Sequence, residues 1–167
     1  TLKELIARNQ GLSAHETREL MGQLLEALAC AHAHGVVHRD LKPENIMVVK
    51  TAGRTYIKVL DFGIGALVGR FRNADYDRLT LTQEFIGTPA YSAPEQMRGE
   101  LPSLGSDLYA WGLIFIECLT GVPVMNGTSV AEVFQKQLSG ANVPIPPSLA
   151  GHPIADLLRK VLHKSPE

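Results

Sequence analysis

Several things are scarce in this sequence. Cysteine occurs twice in 167 residues, at Cys30 and Cys118. The two lie far apart, form no Cys-x-x-Cys pair, and each sits in an apolar helical context. Two buried free thiols are therefore expected rather than a disulfide, which fits a reducing compartment. An excess of one charge is lacking too: 16 Lys and Arg against 17 Asp and Glu leave a net charge of −1. That balance gives no pull toward nucleic acid or an anionic membrane. Nor is there a membrane segment. Leu108 to Met125 is the most apolar stretch, but Glu117, Gly121 and Pro123 interrupt it, so a buried helix is expected instead. No secretory signal, internal repeat or low-complexity tract is visible. What remains is an ordinary globular composition, 45% hydrophobic and 20% charged, with length for one domain and a sizeable core.

Helical signals dominate the chain. Thr1-Leu2-Lys3-Glu4 and Ser13-Ala14-His15-Glu16 read as two capping boxes, each opening a helix. The first helix is short, through about Ala7. The second carries Leu20, Leu24 and Leu28 on one face, with Met21 and Leu25 alongside, and Gly35 stops it after about His34. Ile46 to Lys50 and Tyr56 to Leu60 are expected to pair as a hairpin. From Ile64 to Ser92 no period persists, and loops of that length are commonly functional or disordered. A short helix is expected over Ala93 to Met97. Ser106 or a residue nearby is expected to cap the next, from about Asp107 to Thr120, apolar nearly all round and therefore buried. Ser129 opens another helix with Val130, Val133, Phe134 and Leu138 on one face. Pro153 starts a last one with Ile154, Leu157, Leu158, Val161 and Leu162 inward.

One stretch stands apart: His38-Arg39-Asp40-Leu41-Lys42-Pro43-Glu44-Asn45. Such a density of polar chemistry between apolar flanks suggests a loop at the edge of a core. Asp40 can accept a proton, Lys42 can neutralise an anion, and Asn45 can offer an oxygen to a hard cation. Those are the parts of phosphoryl transfer, where positioning and charge neutralisation do most of the work. The hairpin would bring Asn45, at its start, near Asp61, at its end. Six histidines invite a zinc reading. His32 and His34 are two apart and share no helix face, so that reading is set aside.

The stretch resembles the catalytic loop of eukaryotic-type Ser/Thr protein kinases. Asp61-Phe62-Gly63, Gly87-Thr88-Pro89-Ala90-Tyr91 and Ala93-Pro94-Glu95 follow in the family's order, and the likeness covers essentially the whole chain. Asp61-Phe62-Gly63-Ile64-Gly65 and the run from Thr88 to Gln96 look most like bacterial members. The resemblance implies a mainly α fold with short β-hairpins (α+β) across 1–167. This is the large lobe of the kinase domain, with its catalytic loop at 38–45 and activation segment at 61–95. The small lobe, with its Gly-rich loop, strand lysine and helix glutamate, has no counterpart here, and the last large-lobe helix is missing too.

The roles below are what the resemblance implies. Asp40 orients the substrate hydroxyl and takes its proton, Lys42 offsets the charge of the transferred group, and Thr88 contacts both. Asn45 and Asp61 hold Mg²⁺, and ATP lies against Lys42, Glu44, Asn45, Met47 and Asp61. Arg39 binds a phosphorylated residue of the activation segment, with Thr80 and Thr82 as acceptors. His38, Phe62, Gly63, Glu95 and Asp107 are structural. Phe62 packs on His38, and Asp107 bonds the catalytic-loop backbone, since a buried carboxylate needs a partner. The usual arginine partner of Glu95 falls past Glu167, so Glu95 is expected unpaired or solvated.

The expected function is a cytoplasmic protein kinase acting on Ser or Thr of a protein substrate. Without its small-lobe partner, the chain itself is expected to bind ATP poorly and not turn over. Two rivals are a pseudokinase serving as a binding module and a small-molecule phosphotransferase. The intact loop argues against the first. Lys42 and the Ala-Pro-Glu segment argue against the second.

Overall fold

Hydroxyl caps start the first two helices of the computed structural model, which describes residues 1–62 and 89–164. The Thr1 side chain accepts from the Glu4 amide and Glu4 reaches back, opening α1, Leu2–Asn9. Ser13 and Glu16 repeat the device at α2, Ala14–Ala33. Both boxes satisfy amides that a helix start leaves without partners. The buried stripe of α2 is Thr17, Leu20, Met21, Leu24 and Leu28. Cys30 lies two residues beyond Leu28, on the far side of the helix, and is exposed. The expectation of two buried thiols is corrected accordingly. Only Cys118 is buried, and desolvation pushes its thiol up to about 12.

A 3-10 turn, Pro43–Asn45, leads into β1, Ile46–Thr51, which pairs antiparallel with β2, Arg54–Val59. Ile46 faces Val59 and Thr51 faces Arg54. The two turn residues, Ala52 and Gly53, both have positive φ, 49° and 76°. That is the two-residue turn whose twist suits paired strands. From α2, the Gln23 amide donates to the Thr55 carbonyl and accepts from the Ile57 amide, each at 3.0 Å. A side chain thus pairs the outer edge of β2 as a neighbouring strand would.

After α3, Pro94–Met97, comes the central helix α4, Leu104–Thr120. Its cap is Ser103 and not Ser106: the Gly105 amide donates to Ser103 Oγ, while Ser106 Oγ accepts from the Ser103 amide at 2.9 Å. The helix begins three residues earlier than expected because Ser106 completes the reciprocal box from inside it. As its all-round apolarity predicts, α4 is buried continuously from Tyr109 to Cys118. Trp111 ties it to α2 by donating from Nε1 to the Met21 carbonyl at 2.9 Å. Gly121 closes α4 with φ 78°. A Cβ there would lie 2.7 Å from the Gln10 carbonyl, so glycine is needed both for the backbone conformation and for the close approach.

Two amphipathic helices finish the fold. In α5, Val130–Leu138, the inward positions are Val133 and Gln137, while Val130 and Leu138 are exposed and Phe134 is half-buried. Gln137 displaces the expected apolar face because it has partners inside. Tyr109 donates to it at 2.6 Å, and it donates to the Pro89 carbonyl at 3.2 Å. In α6, Pro153–Val161, Ala155 and Leu158 are buried, with Leu162 just past the helix, and Leu157 turns outward. Among the described residues the result is mostly helical with one small antiparallel sheet.

Candidate active site

The stretch 38–45 is an irregular loop ending in the 3-10 turn, and its shape is imposed from outside. Asp107, in the first turn of α4 and 1% exposed, is the anchor. Its Oδ1 accepts the Arg39 amide at 2.9 Å. Its Oδ2 accepts the His38 amide at 2.9 Å and lies 2.8 Å from His32 Nε2. Three donors and the positive end of the helix compensate a carboxylate removed from water. His38, itself buried, places Nε2 2.8 Å from the Leu60 carbonyl and accepts the Asp40 amide on Nδ1 at 3.3 Å. That pattern fits the neutral ring protonated at Nε2. The His38 and Phe62 rings lie 4.8 Å apart.

The loop presents its chemistry outward. Asp40 Oδ2 lies 2.7 Å from Lys42 Nζ, with the Asp40 side chain 54% exposed and Lys42 20%. The Asn45 amide nitrogen donates to the Asp40 carbonyl at 2.9 Å and contacts Asp40 Oδ2 at 3.4 Å. With the nitrogen so engaged, Oδ1 is the atom of that amide suited to a cation. The Leu60 amide donates to the Asn45 carbonyl at 2.8 Å, which sets Asp61, with φ 57° and exposed, directly after the strand end that abuts Asn45. An amide oxygen and a carboxylate, with no nitrogen or sulfur donor, is a set suited to Mg²⁺.

The other expected site residues are distributed unevenly. Glu44 turns toward α1, where it pairs with Lys3, and its Oε2 is buried without a hydrogen bond among the described residues. Met47 stands partly exposed on β1. Glu95 is neither unpaired nor solvated: it is 9% exposed and accepts from Ser106 Oγ at 2.6 Å. Gly63, Thr80, Thr82 and Thr88 lie outside the described residues.

Three contacts carry no local sequence signal. His32 reaches Asp107 from 75 positions away. Gln96 donates to the Arg39 carbonyl at 2.7 Å across 57 positions. Tyr91 donates to Glu117 at 2.6 Å, both groups buried. Burial is the main cause that raises the Glu117 carboxyl above its ordinary 4.5; the Tyr91 bond and Lys3 oppose it, and Glu44 adds to it. A carboxyl raised in the folded state stabilises the fold fully below its unfolded pKa, and that contribution is lost as pH climbs through the folded value. The stability of the wild type relative to Glu117→Gln should therefore fall as pH rises above the ordinary carboxyl range, read by denaturant unfolding at each pH. A constant difference would mean that Glu117 titrates alike in both states.

The loop, its helical anchor and the strand-end aspartate belong together in one class of protein. The chain is a member of the protein kinase domain family, which matches residues 1–167. Bacterial proteins are among its relatives. The serine/threonine-protein kinase PkaA of Streptomyces coelicolor is 38% identical over 166 residues, 99% of this chain and 29% of that protein. The probable serine/threonine-protein kinase PknB of Bifidobacterium longum is 38% identical over 152 residues, 90% of this chain and 20% of that protein. The serine/threonine-protein kinase PknB of Mycobacterium leprae is 35% identical over 171 residues, 100% of this chain and 26% of that protein. The chain thus spans less than a third of the length of these relatives. No helix among the described residues is long and apolar enough to cross a membrane.

Proposed function

We propose that this chain is the large lobe of a serine/threonine protein kinase that moves the γ-phosphoryl group of MgATP to a hydroxyl of a protein substrate. The observation that carries the reading is the Asp40–Lys42 pair, 2.7 Å apart, on a loop whose backbone Asp107 holds from two amides. A carboxylate needs fixed aim to take a proton from an incoming hydroxyl, and a rigid loop supplies it. As the hydroxyl oxygen bonds to phosphorus and the bond to the departing ADP breaks, the proton passes to Asp40. Lys42, drawn beside Asp40, offsets the charge of the transferred group, and Thr88 is proposed to act with both. Asn45 and Asp61 would hold Mg²⁺, which when bound supplies positive charge at the phosphate oxygens.

Met47 is proposed to face the nucleotide, together with a small-lobe partner that covers it; Glu44 is proposed to reach it only through its backbone, its side chain being paired with Lys3. Arg39 is proposed to bind phosphate on Thr80 or Thr82, within an activation segment over 61–95. His38, Phe62, Gly63, Glu95 and Asp107 are proposed as the frame. The cytoplasm, where ATP is plentiful, fits two free cysteines. The test is autophosphorylation of the full-length protein with MgATP, read by intact mass. Phosphate added to serine or threonine is the expected result. Folded protein that gains none would move the reading to a pseudokinase.

A further inference from the structure

We propose that Gln96 is a positioning residue for the catalytic loop, its side-chain amide clamping the Arg39 carbonyl and so fixing the backbone from which Asp40 projects. Arg39 has φ 74°, a left-handed conformation that any residue with a Cβ disfavours and that persists only where the surroundings impose it. Two helices impose it from either side of the residue. The peptide before Arg39 is held through its N–H by Asp107 Oδ1 of α4, at 2.9 Å. The peptide after it is held through its carbonyl by Gln96 Nε2 of α3, at 2.7 Å. That second peptide carries the Asp40 amide, which itself donates to His38 Nδ1. Releasing the carbonyl leaves the longer 3.3 Å bond from the Asp40 amide to His38 to hold the second peptide, which then turns more readily toward an ordinary conformation and carries the Asp40 carboxylate with it.

The orientation of the Gln96 amide is set by its other end. Oε1 accepts the Ala93 amide at 3.0 Å, at the start of α3. Reversing the group would bring nitrogen against N–H and oxygen against carbonyl, so both bonds would be lost. One half-buried side chain therefore caps α3 and holds the loop together, and this couples the segment at 93–97 to the aim of Asp40.

Its effect on catalysis rests on the kinase reading, so the experiment has one arm that does not depend on activity. The full-length protein is compared with Gln96→Met, which keeps the length and loses both bonds, and with Gln96→Glu. The glutamate keeps an acceptor for the Ala93 amide but turns a carboxylate oxygen toward the Arg39 carbonyl. Amide hydrogen exchange over 38–45 should quicken about tenfold in both variants, with α4 unchanged. The plateau rate of autophosphorylation against ATP concentration should fall about tenfold, with half-saturating ATP within about twofold of wild type. A residue that only capped α3 would leave Gln96→Glu like wild type, and that outcome overturns the proposal. So does unchanged exchange over 38–45 in both variants, or an exchange increase shared equally by α4. Wild type without phosphorylation would overturn the kinase reading, while exchange over 38–45 would still decide the clamp.

Discussion

Asp40→Asn in the full-length protein is expected to lower the autophosphorylation rate by about 10²–10⁴-fold, the range for removing a positioned general base. The reason is chemical and not structural. Asparagine fits the same space but has no carboxylate to receive the hydroxyl proton. The Asp40 side chain is 54% exposed; Lys42 lies 2.7 Å from its Oδ2, and the Asn45 amide nitrogen donates to the same oxygen at 3.4 Å. An exposed pair of that kind contributes about 0–1 kcal/mol, so the unfolding midpoint should barely move. A rate within about threefold of wild type, with stability intact, would remove Asp40 from the role of base. Loss of rate together with a large loss of stability would show that the residue holds the loop rather than works from it.

Asp107→Ala should behave in the opposite way and lose both. The carboxylate is 1% exposed and meets two backbone amides and the His32 ring, so its removal orphans three donors at once. At about 1–3 kcal/mol for each buried group left unsatisfied, a destabilisation of about 3 kcal/mol or more is expected by denaturant unfolding. Asp107→Asn should recover little of it, because its NH₂ group would face an N–H in either orientation. A useful control is Asp156→Ala, whose side chain is 85% exposed and paired with Arg159; it should cost no more than about 1 kcal/mol. If Asp107→Ala proves no worse than Asp156→Ala, the loop does not depend on its anchor.

The sequence is easiest to read where structure is local. Both capping boxes, the leucine face of α2, the hairpin and the buried character of α4 follow from spacing within a few residues. Errors arise where a distant partner decides. Cys30 is the exception, a local miss: its apolar neighbours predict burial, yet helical geometry turns it away from the core. Glu95 is expected unpaired or solvated for want of its arginine partner, whereas Ser106 donates to it. Gln137 points inward, where Val130, Val133, Phe134 and Leu138 are expected to form the face, because Tyr109 donates to it and it donates to the Pro89 carbonyl. Among the site residues, the reactive cluster 38–45 was legible through its density and its family resemblance. Gln96 and His32 were not, since neither carries a pattern that names a partner 57 or 75 positions away.

The anchoring of the loop on Asp107 also bears on how the chain folds. The bonds that shape residues 38 and 39 close spans of 69 and 68 positions, and Trp111 reaches Met21 across 90. Helices such as α1 and α2 can form from neighbouring residues, whereas each long span must first meet the entropy of loop closure. The hairpin can close early, for its strands are joined by two residues. The reactive loop between helix and hairpin has no such local route, because its template is a helix that enters the chain only at Leu104. A chain with its early elements in place but α4 still undocked would have secondary structure and no shaped loop. On the proposed reading, the alignment of residues 38–45 then arrives with the slowest tertiary contacts, so a half-folded chain holds the candidate site without its shape.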